Sequence, residues 1–194
     1  MARTADPAGT ASRILDIAEA MVQTRGFDGF SYADVASELQ LTTPSLHYHF
    51  HSKAELGEAL IKRYTTRFLA ALDAIERRPG SSVDKLEAYA SVYAEVLRAR
   101  RMCLCGMLAA GYDTLPESMR LAVIRFFDEN EGWLARVLER GAEEGTLVFA
   151  GSASAVARSI ISGLEGAMLI ARPYGDVARF DSVANRILAG LVNK

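Results

Sequence analysis

All three histidines of the chain, His47, His49 and His51, fall within five residues of the stretch LTTPSLHYHFHSK. Imidazoles so close together have three chemical uses: holding a metal ion, moving protons in catalysis, or presenting polar tips to another molecule. His47 and His51 share a helix face only if the helix continues, and no cysteine or acidic cluster completes a zinc site. No nucleophile of the kind that a catalytic histidine needs is evident either. We therefore expect no metal, no cofactor and no enzymatic activity, and we favour presentation to a partner over simple packing.

The composition excludes several classes of protein. Half of the 194 residues are hydrophobic and the net charge is −2, which argues against a disordered chain and against a globally basic nucleic-acid binder. No apolar run reaches the ~18 residues of a membrane span, and the N-terminus lacks the apolar core of a secretory signal. The two cysteines, Cys103 and Cys105, are too close together for a scaffold disulfide. We expect a cytoplasmic protein with no membrane partner.

Helical periodicity runs through nearly the whole sequence, and no segment alternates as a strand does. Apolar residues recur at three- and four-residue intervals between breaks rich in glycine, proline and serine. The predicted helices cover residues 10–25, 31–39, 42–50, 52–76, 83–100, 103–112, 116–144, 153–171 and 180–192. The sequence therefore predicts an all-α protein.

Local signals divide residues 26–56 into short helices. Gly26 suits a left-handed C-terminal cap, and the predicted N-terminal caps are Ser31 with Asp34, Thr42 with Pro44 behind it, and Ser52 with Glu55. Two short helices joined by a tight turn, after a longer first helix, predict a helix-turn-helix. In that arrangement the N-terminal residues of the second short helix enter the DNA major groove, while Leu46 and Phe50 anchor it on the core.

The stretch GFDGFSYADVASELQLTTPSLHYHFHSKAEL, residues 26–56, resembles the DNA-binding domain of the TetR family of transcriptional regulators. The matching positions are Gly26-Phe27, Ser31, Val35-Ala36, Ser45-Leu46, Tyr48-His49-Phe50 and Ser52-Lys53. His47 stands where the family commonly has tyrosine, and Leu41 and Pro44 replace frequent valine and glycine. These departures suggest a different operator preference within the same fold.

The resemblance implies a three-helix DNA-binding domain at residues 1–52 and a helical ligand-binding and dimerisation domain at residues 53–194. It implies a homodimer on a palindromic double-stranded operator, usually a repressor released by a small-molecule effector. The DNA-binding residues that it implies are Thr42, Thr43, Ser45, His47, Tyr48 and Lys53, and the weaker candidates are Ser31, Tyr32, Arg3 and Arg13. Residues 1–64 hold six Lys/Arg against eight Asp/Glu, so binding must use a local face and dimer avidity.

Small residues on one face of the predicted helix 153–171 indicate close helix packing, because glycine inside a helix otherwise costs about 1 kcal/mol against alanine. A four-helix interface between two subunits is the arrangement the family uses, and an intrachain contact is the alternative. The predicted dimer residues are Ser159, Gly163, Gly166, Ile170, Val183, Ile187 and Leu191.

Aromatic and thioether side chains in the second domain suit an apolar effector, although each is individually typical of plain core. The predicted pocket residues are Tyr89, Tyr93, Met102, Cys103, Met107, Phe126, Trp133 and Met168.

The segment RRMCLCGML contains both thiols. Arg100 and Arg101 could favour a thiolate, and the Cys-Leu-x-Gly start resembles a branch of the family thought to respond to electrophiles or oxidants, with Cys103 at the matching position. A strained disulfide, a soft-metal ligand pair or two inert core residues are the alternatives. A thiol-based sensor using Cys103 is therefore our second hypothesis.

Overall fold

A computed structural model describes residues 7–193, so the weaker DNA-binding candidate Arg3 lies outside the described residues. Within this range the chain is all-α, as predicted. Its α-helices are α1 (Pro7–Arg25), α2 (Tyr32–Leu39), α3 (Thr43–His49), α4 (Lys53–Arg77), α5 (Ser82–Arg98), α6 (Leu104–Ala110), α7 (Glu117–Glu143), α8 (Ala153–Ala171) and α9 (Val177–Ala189). A single antiparallel bridge, Leu147 with Val192, is the β-structure among these residues.

The chain forms two compact units. Among the described residues, the first contains 7–65 together with 104–124, and the second contains 66–103 together with 125–193. Helices α4 and α7 each contribute to both units. The segment that holds α6 thus groups with the N-terminal residues, although it follows α5 in sequence.

Local capping shapes the first unit. Gly26 has φ +81° and ends α1, and its N–H donates to the Val22 carbonyl over 2.9 Å. Ser31 and Asp34 form the predicted capping box at α2. Gln40 ends α2 in the left-handed region with φ 55°, a conformation that L-residues adopt at some cost. The resulting tight turn leads directly to Thr42, whose hydroxyl accepts the Ser45 N–H at the start of α3.

One cap differs from its prediction. The Ser52 hydroxyl accepts the Glu55 N–H over 3.1 Å, but the Glu55 carboxylate accepts the N–H of His51 over 2.8 Å, not that of Ser52. The box is therefore shifted by one residue, because His51 offers its ring nitrogen to the same carboxylate oxygen at 3.2 Å.

The second unit packs α5, α8 and α9 with parts of α4 and α7. Its core includes Tyr89, Tyr93, Phe126, Leu164 and Phe180, all nearly inaccessible to solvent. By length and composition alone, the segment Ala153–Tyr174 could cross a membrane, with a mean hydropathy of 1.3. Its buried side fills this core, so the apolar composition of α8 has a packing explanation.

The predicted bounds differ from the structure mainly at helix starts. Helix α1 begins at Pro7 instead of Thr10, and α9 begins at Val177, one residue after its N-cap Asp176, instead of Phe180. Proline is tolerated in a first turn because the amide that it lacks has no helical partner there. Helix α9 also ends at Ala189, so Leu191 lies beyond the helix on which it was predicted.

Candidate nucleic-acid interface and buried polar cluster

Helix α3 divides its side chains cleanly between core and solvent. Leu46 is 1% exposed and Phe50, its C-cap, is 8% exposed, which confirms that these two residues anchor the helix. Tyr48, by contrast, is 75% exposed, and its nearest ring is that of His49 at 5.3 Å between centroids. An exposed tyrosine on so short a helix is available to a partner molecule.

His47 lies beside Tyr48 on the solvent side of α3. Its Nδ1 is 3.2 Å from the His51 carbonyl oxygen, and a carbonyl only accepts, so the bond requires the proton on Nδ1. The neutral ring then offers Nε2 as an acceptor, which suits a base-edge amino group. Thr42 and Pro44 are exposed at the start of the helix, and Thr43 and Ser45 are half-buried.

Two further predicted residues have structural partners inside the first unit. The Tyr32 hydroxyl donates to the Phe50 carbonyl over 2.9 Å, and burial, reinforced by Glu55, raises the pKa of Tyr32 to about 12. The Lys53 ammonium donates to the Phe30 carbonyl over 2.6 Å and lies over the Phe27 and Phe30 rings. Burial lowers the pKa of Lys53, which remains a partly exposed cation.

A small concave surface of about 230 Å³ gathers four of the predicted residues: Ser31, Tyr32, His47 and Lys53, with Phe30. The Tyr32 and His47 rings are 4.7 Å apart between centroids, so α2 supports the exposed side of α3. Asp34 lies at the same edge, and hydrogen bonds from the Ser31 hydroxyl and N–H lower its pKa. The structure therefore brings Ser31, Tyr32, His47 and Lys53 together at one surface.

Two cations act on Asp34 at this face, Lys53 and the exposed Arg25 in the last turn of α1. Arg63 of the first unit is held by Asp16 at 2.8 Å and Glu19 at 2.9 Å. The exposed Arg13, a weaker candidate, lies on α1. Among residues 7–193 no group of three or more His, Cys, Asp and Glu side chains is arranged to hold a metal ion.

The second unit contains a closed polar triangle in its aromatic core. The Tyr89 hydroxyl donates to Asn130 Oδ1 over 2.8 Å, and Asn130 Nδ2 donates to the Tyr93 hydroxyl over 3.0 Å. The two hydroxyls are 3.0 Å apart, so Tyr93 donates to Tyr89 and completes the ring of bonds. Burial raises the pKa of both tyrosines, which stay neutral donors.

Glu165 of α8 lies beside this triangle. The Cys103 thiol hydrogen-bonds to its carboxyl group, and burial raises the pKa of Glu165 to about 7. Its Oε1 is buried without a hydrogen-bond partner, as is the Nε1 of Trp133, whose ring stacks on Tyr89 at 5.7 Å. Buried polar atoms without partners are rare in native proteins, so this cluster is a candidate ligand site.

Seven of the eight predicted pocket residues lie in the second unit, all of them buried: Tyr89, Tyr93, Met102, Cys103, Phe126, Trp133 and Met168. Met107 belongs to the first unit, where its methyl carbon lies 3.9 Å from the Cβ position of Gly26. Arg100 and Arg101 line a surface cleft of about 470 Å³ with Arg172, whereas the side chain bonded to the Cys103 thiol is that of Glu165.

Sequence reasoning missed Glu165 and Asn130, although each left a signal. Glu165 is the one charged residue between Arg158 and Arg172, in a stretch otherwise built of apolar and small side chains. Asn130 stands four residues after Phe126 and three before Trp133, so it shares their buried face of α7. In both cases a polar residue interrupts an apolar helix face, which is unusual and indicates a specific role.

The predicted dimer residues fall into two groups. A Cβ on Gly163 would lie 2.6 Å from the Ile187 Cδ1, so Gly163 allows α8 and α9 of the same chain to pack closely. A Cβ on Gly166 would meet nothing within 4 Å, and Ile170 and Val183 are 63% and 43% exposed. Ser159 is exposed as well, whereas Leu191 is half-buried and accepts the Val148 N–H through its carbonyl.

Comparison with known proteins agrees with this geometry. Residues 14–60 match the family described as bacterial regulatory proteins, tetR family, and residues 82–187 match the tetracyclin repressor-like C-terminal domain. The crystal structure of a TetR-family transcriptional regulator from Agrobacterium tumefaciens is 32% identical, with a TM-score of 0.93, covering 97% of this chain and 100% of that one.

Two curated relatives are also similar. The transcriptional regulator AcuR of Cereibacter sphaeroides is 26% identical over 152 residues, which cover 76% of this chain and 69% of AcuR. The HTH-type transcriptional repressor NemR of Escherichia coli is 26% identical over 149 residues, which cover 73% of each chain.

Proposed function

The chain belongs to the TetR family of bacterial regulatory proteins, and from this premise we propose how it works as a ligand-responsive transcriptional regulator. We infer that it is a repressor, released from a palindromic operator by a small effector that its apolar second unit binds. The observation that supports DNA recognition is the exposed side of α3, where Tyr48 and His47 project from a helix anchored by Leu46. Relatives that are regulators and not enzymes support a cytoplasmic, non-catalytic role.

Direct reading of bases by α3 is supported by the chemistry of its exposed side. Hydroxyls of Thr42 and Tyr48 and the His47 ring nitrogen bond base edges or phosphates, and the ring of Pro44 suits a thymine methyl group. Ser31 and Lys53 flank this side and suit the phosphate backbone, which sets the position of the protein on the duplex. Thr43 and Ser45, half-buried, and Tyr32, behind them, complete the proposed DNA face.

The experiment that tests the proposal is fluorescence anisotropy with DNA from immediately upstream of the gene, compared with scrambled DNA of equal length. Sequence-dependent binding by two subunits per site, or a multiple of two, supports the proposal. Equal binding of both DNAs calls for selection from random sequences, and failure of that selection to yield a preferred site contradicts it.

The same titrations at several salt concentrations give a first prediction. Because Arg63 is already ion-paired and residues 1–64 hold more Asp/Glu than Lys/Arg, few cations are available to neutralise phosphates. With about four phosphate contacts per dimer, log K should fall with log salt at a slope of about −4. A slope of about −8 or steeper would require a second source of positive charge and would contradict this description of the face.

Dimer formation through α8 and α9 is supported by an exposed apolar patch. Leu169 and Ile170 are 59% and 63% exposed, and Ile170 and Val183 line a groove of about 460 Å³. Helix pairs that pack across a two-fold axis bury such a patch against its copy. The proposed interface is therefore the Gly166, Ile170 and Val183 side of the two helices, with Ser159, Gly163, Ile187 and Leu191 at its margins.

Glutamate at position 170 should split the dimer. In Ile170→Glu two carboxylates would face each other across the interface, and we expect a monomer in analytical ultracentrifugation with operator affinity reduced at least ~100-fold. Leu121→Glu places the same charge at an exposed apolar position of the first unit, where Leu121 is 49% exposed, and should remain a dimer. If the Ile170→Glu protein is still a dimer, the interface does not lie on this side of α8 and α9.

A thiol-triggered regulator is the second candidate, and the Cys103–Glu165 bond favours it because a carboxylate can accept the proton of a reacting thiol. Both cysteines are buried, so a reaction requires local opening. If Cys103 is the trigger, N-ethylmaleimide will release wild-type protein and Cys105→Ser from DNA but not Cys103→Ser. Equal release of all three proteins would eliminate this candidate.

A further inference from the structure

Two buried polar atoms in the core of the second unit lack hydrogen-bond partners. They are the Glu165 Oε1, an acceptor, and the Trp133 Nε1, a donor. Both lie beside Tyr89: the Trp133 ring stacks on its ring at 5.7 Å, and the charge of Glu165 acts on its hydroxyl. Two unmet groups around one aromatic ring indicate a place where a ligand completes the bonding.

The surrounding protein groups leave these two atoms without bonds. The hydroxyls of Tyr89 and Tyr93 each donate their single proton inside the triangle with Asn130, so neither can donate to Glu165. Cys103 gives Glu165 one thiol bond, and no cationic side chain of the described residues contributes to the shift of its pKa. A buried carboxyl group without a cationic partner is unusual, since buried charges are normally paired.

Aromatic rings supply the rest of the environment. The charge of the Glu165 carboxyl group acts on the hydroxyls of Tyr89 and Tyr93. Trp133 stacks on Tyr89, and Phe68 contacts both tyrosine rings edge-on. Ring faces attract organic ammonium groups through their quadrupole, most strongly for tryptophan, and a carboxylate adds a hydrogen-bond acceptor of opposite charge. An anion would meet neither a positive charge nor a nearby guanidinium in this cluster.

We propose that this cluster binds an organic cation: a protonated amine on an apolar body, whose N–H donates to Glu165 Oε1 while the body packs against Trp133 and Tyr89. An acceptor elsewhere on the ligand would satisfy the Trp133 N–H. The proposal rests on the proposed function in one respect, because the cation would be the effector, and it makes that effector amphipathic instead of wholly apolar.

Binding of such a ligand should be linked to pH. The groups facing the Glu165 carboxyl are the Cys103 thiol and the Tyr89 and Tyr93 hydroxyls, so its own ionisation dominates. A cation binds the ionised carboxylate, and with a pKa of about 7 the ionised fraction grows about tenfold from about pH 6 to about pH 8. Affinity for an amine should rise by a similar factor.

Trp133 is the single tryptophan of the chain, so its intrinsic fluorescence reports on this site without DNA. The probes are butylamine, hexylamine and benzylamine, each compared with the alcohol and the carboxylic acid of the same skeleton. Titrations reach about 10 mM, which is enough to fill most of a site whose binding free energy is only about −4 kcal/mol. We expect saturable changes with at least one amine, and affinity at least about tenfold above its alcohol and its acid.

Three variants distinguish the contribution of the Glu165 carboxylate to amine binding from that of the surrounding aromatic core. Glu165→Gln keeps the shape of the side chain and should lose about tenfold or more in amine affinity together with its pH dependence. Glu165→Asp keeps the charge and should retain a preference for the amine over the alcohol. Glu129→Gln makes the same chemical change at an exposed position of α7 and should bind amines as wild type does.

Several results would overturn the proposal: no saturable response to any amine, equal binding of amine and alcohol, tighter binding of the acid, or full retention of amine affinity in Glu165→Gln. Operator binding measured in the same samples is a separate readout. Amine binding that requires Glu165 but leaves the operator complex intact would support the site and exclude the effector role. If no operator can be found, the proposed function is contradicted. The fluorescence titrations then still test whether the Glu165 cluster binds amines.

Discussion

Replacing Tyr48 with alanine will remove most sequence-specific operator binding while leaving the fold and the dimer intact. Tyr48 is 75% exposed, and its ring contacts only that of His49 among the ring contacts of the described residues, so truncation removes little packing. The expected loss of stability is within about 0.5 kcal/mol, as at other surface positions. The expected loss of operator affinity is larger, because each of the two subunits loses a contact with DNA.

A base or phosphate contact of this kind contributes about 1–3 kcal/mol, and a dimer loses it twice. We therefore expect about 2–6 kcal/mol, or between about 30-fold and about 10⁴-fold in operator affinity. Anisotropy with operator and scrambled DNA measures the effect, and ultracentrifugation checks the dimer. Tyr112→Ala, at another exposed tyrosine of the first unit, is the matched control.

Near-wild-type operator affinity of Tyr48→Ala would contradict the proposal that the exposed side of α3 reads DNA. The alternative from another class is a helical enzyme or ligand carrier that uses the apolar core without binding DNA. Loss of operator binding in a Tyr48→Ala protein that is still a folded dimer would exclude it.

Replacing Glu165 with glutamine will stabilise the protein at neutral and higher pH. The pKa of Glu165 is about 7 in the folded chain, compared with 4.5 for an ordinary glutamate. Between these values the unfolded chain has released a proton that the folded chain retains, so the free energy of unfolding falls as pH rises. Above about pH 7 the folded protein holds a buried, unpaired carboxylate, and the full cost is present.

The size of this effect follows from the shift of the pKa. A shift of about 2.5 units corresponds to about 3 kcal/mol, from which the lost bond to Cys103 subtracts about 1 kcal/mol. Urea unfolding at about pH 4.5 and about pH 8 should show the variant gaining about 2–3 kcal/mol on wild type between the two conditions.

Glu129→Gln is the control, because Glu129 is exposed on α7. It should follow the wild-type dependence on pH. If Glu165→Gln loses stability with rising pH as steeply as wild type, the carboxyl group is not buried and unpaired in solution, and the cation site loses its physical basis.

The helical framework and the solvent-exposed side of α3 could both be predicted from the amino-acid sequence. The capping residues Ser31 and Thr42 accept hydrogen bonds from amides three residues away, so the helix starts can be predicted from the local sequence. The period of α3 placed Leu46 inside and Tyr48 outside, and α8 runs over the predicted residues 153–171. These features depend on residues within about one helical turn of each other, so they can be predicted from residues that are close together in the sequence.

Which polar groups meet depends on the tertiary packing of the helices. The Lys53 bond to Phe30, the Tyr89–Asn130 bond and the Glu165–Cys103 bond each join residues more than twenty positions apart. Periodicity predicts the face on which a residue lies, but not which face of another helix lies opposite. The same limit left the roles of Gly163 and Gly166 open, until packing placed one against Ile187 and the other in open space.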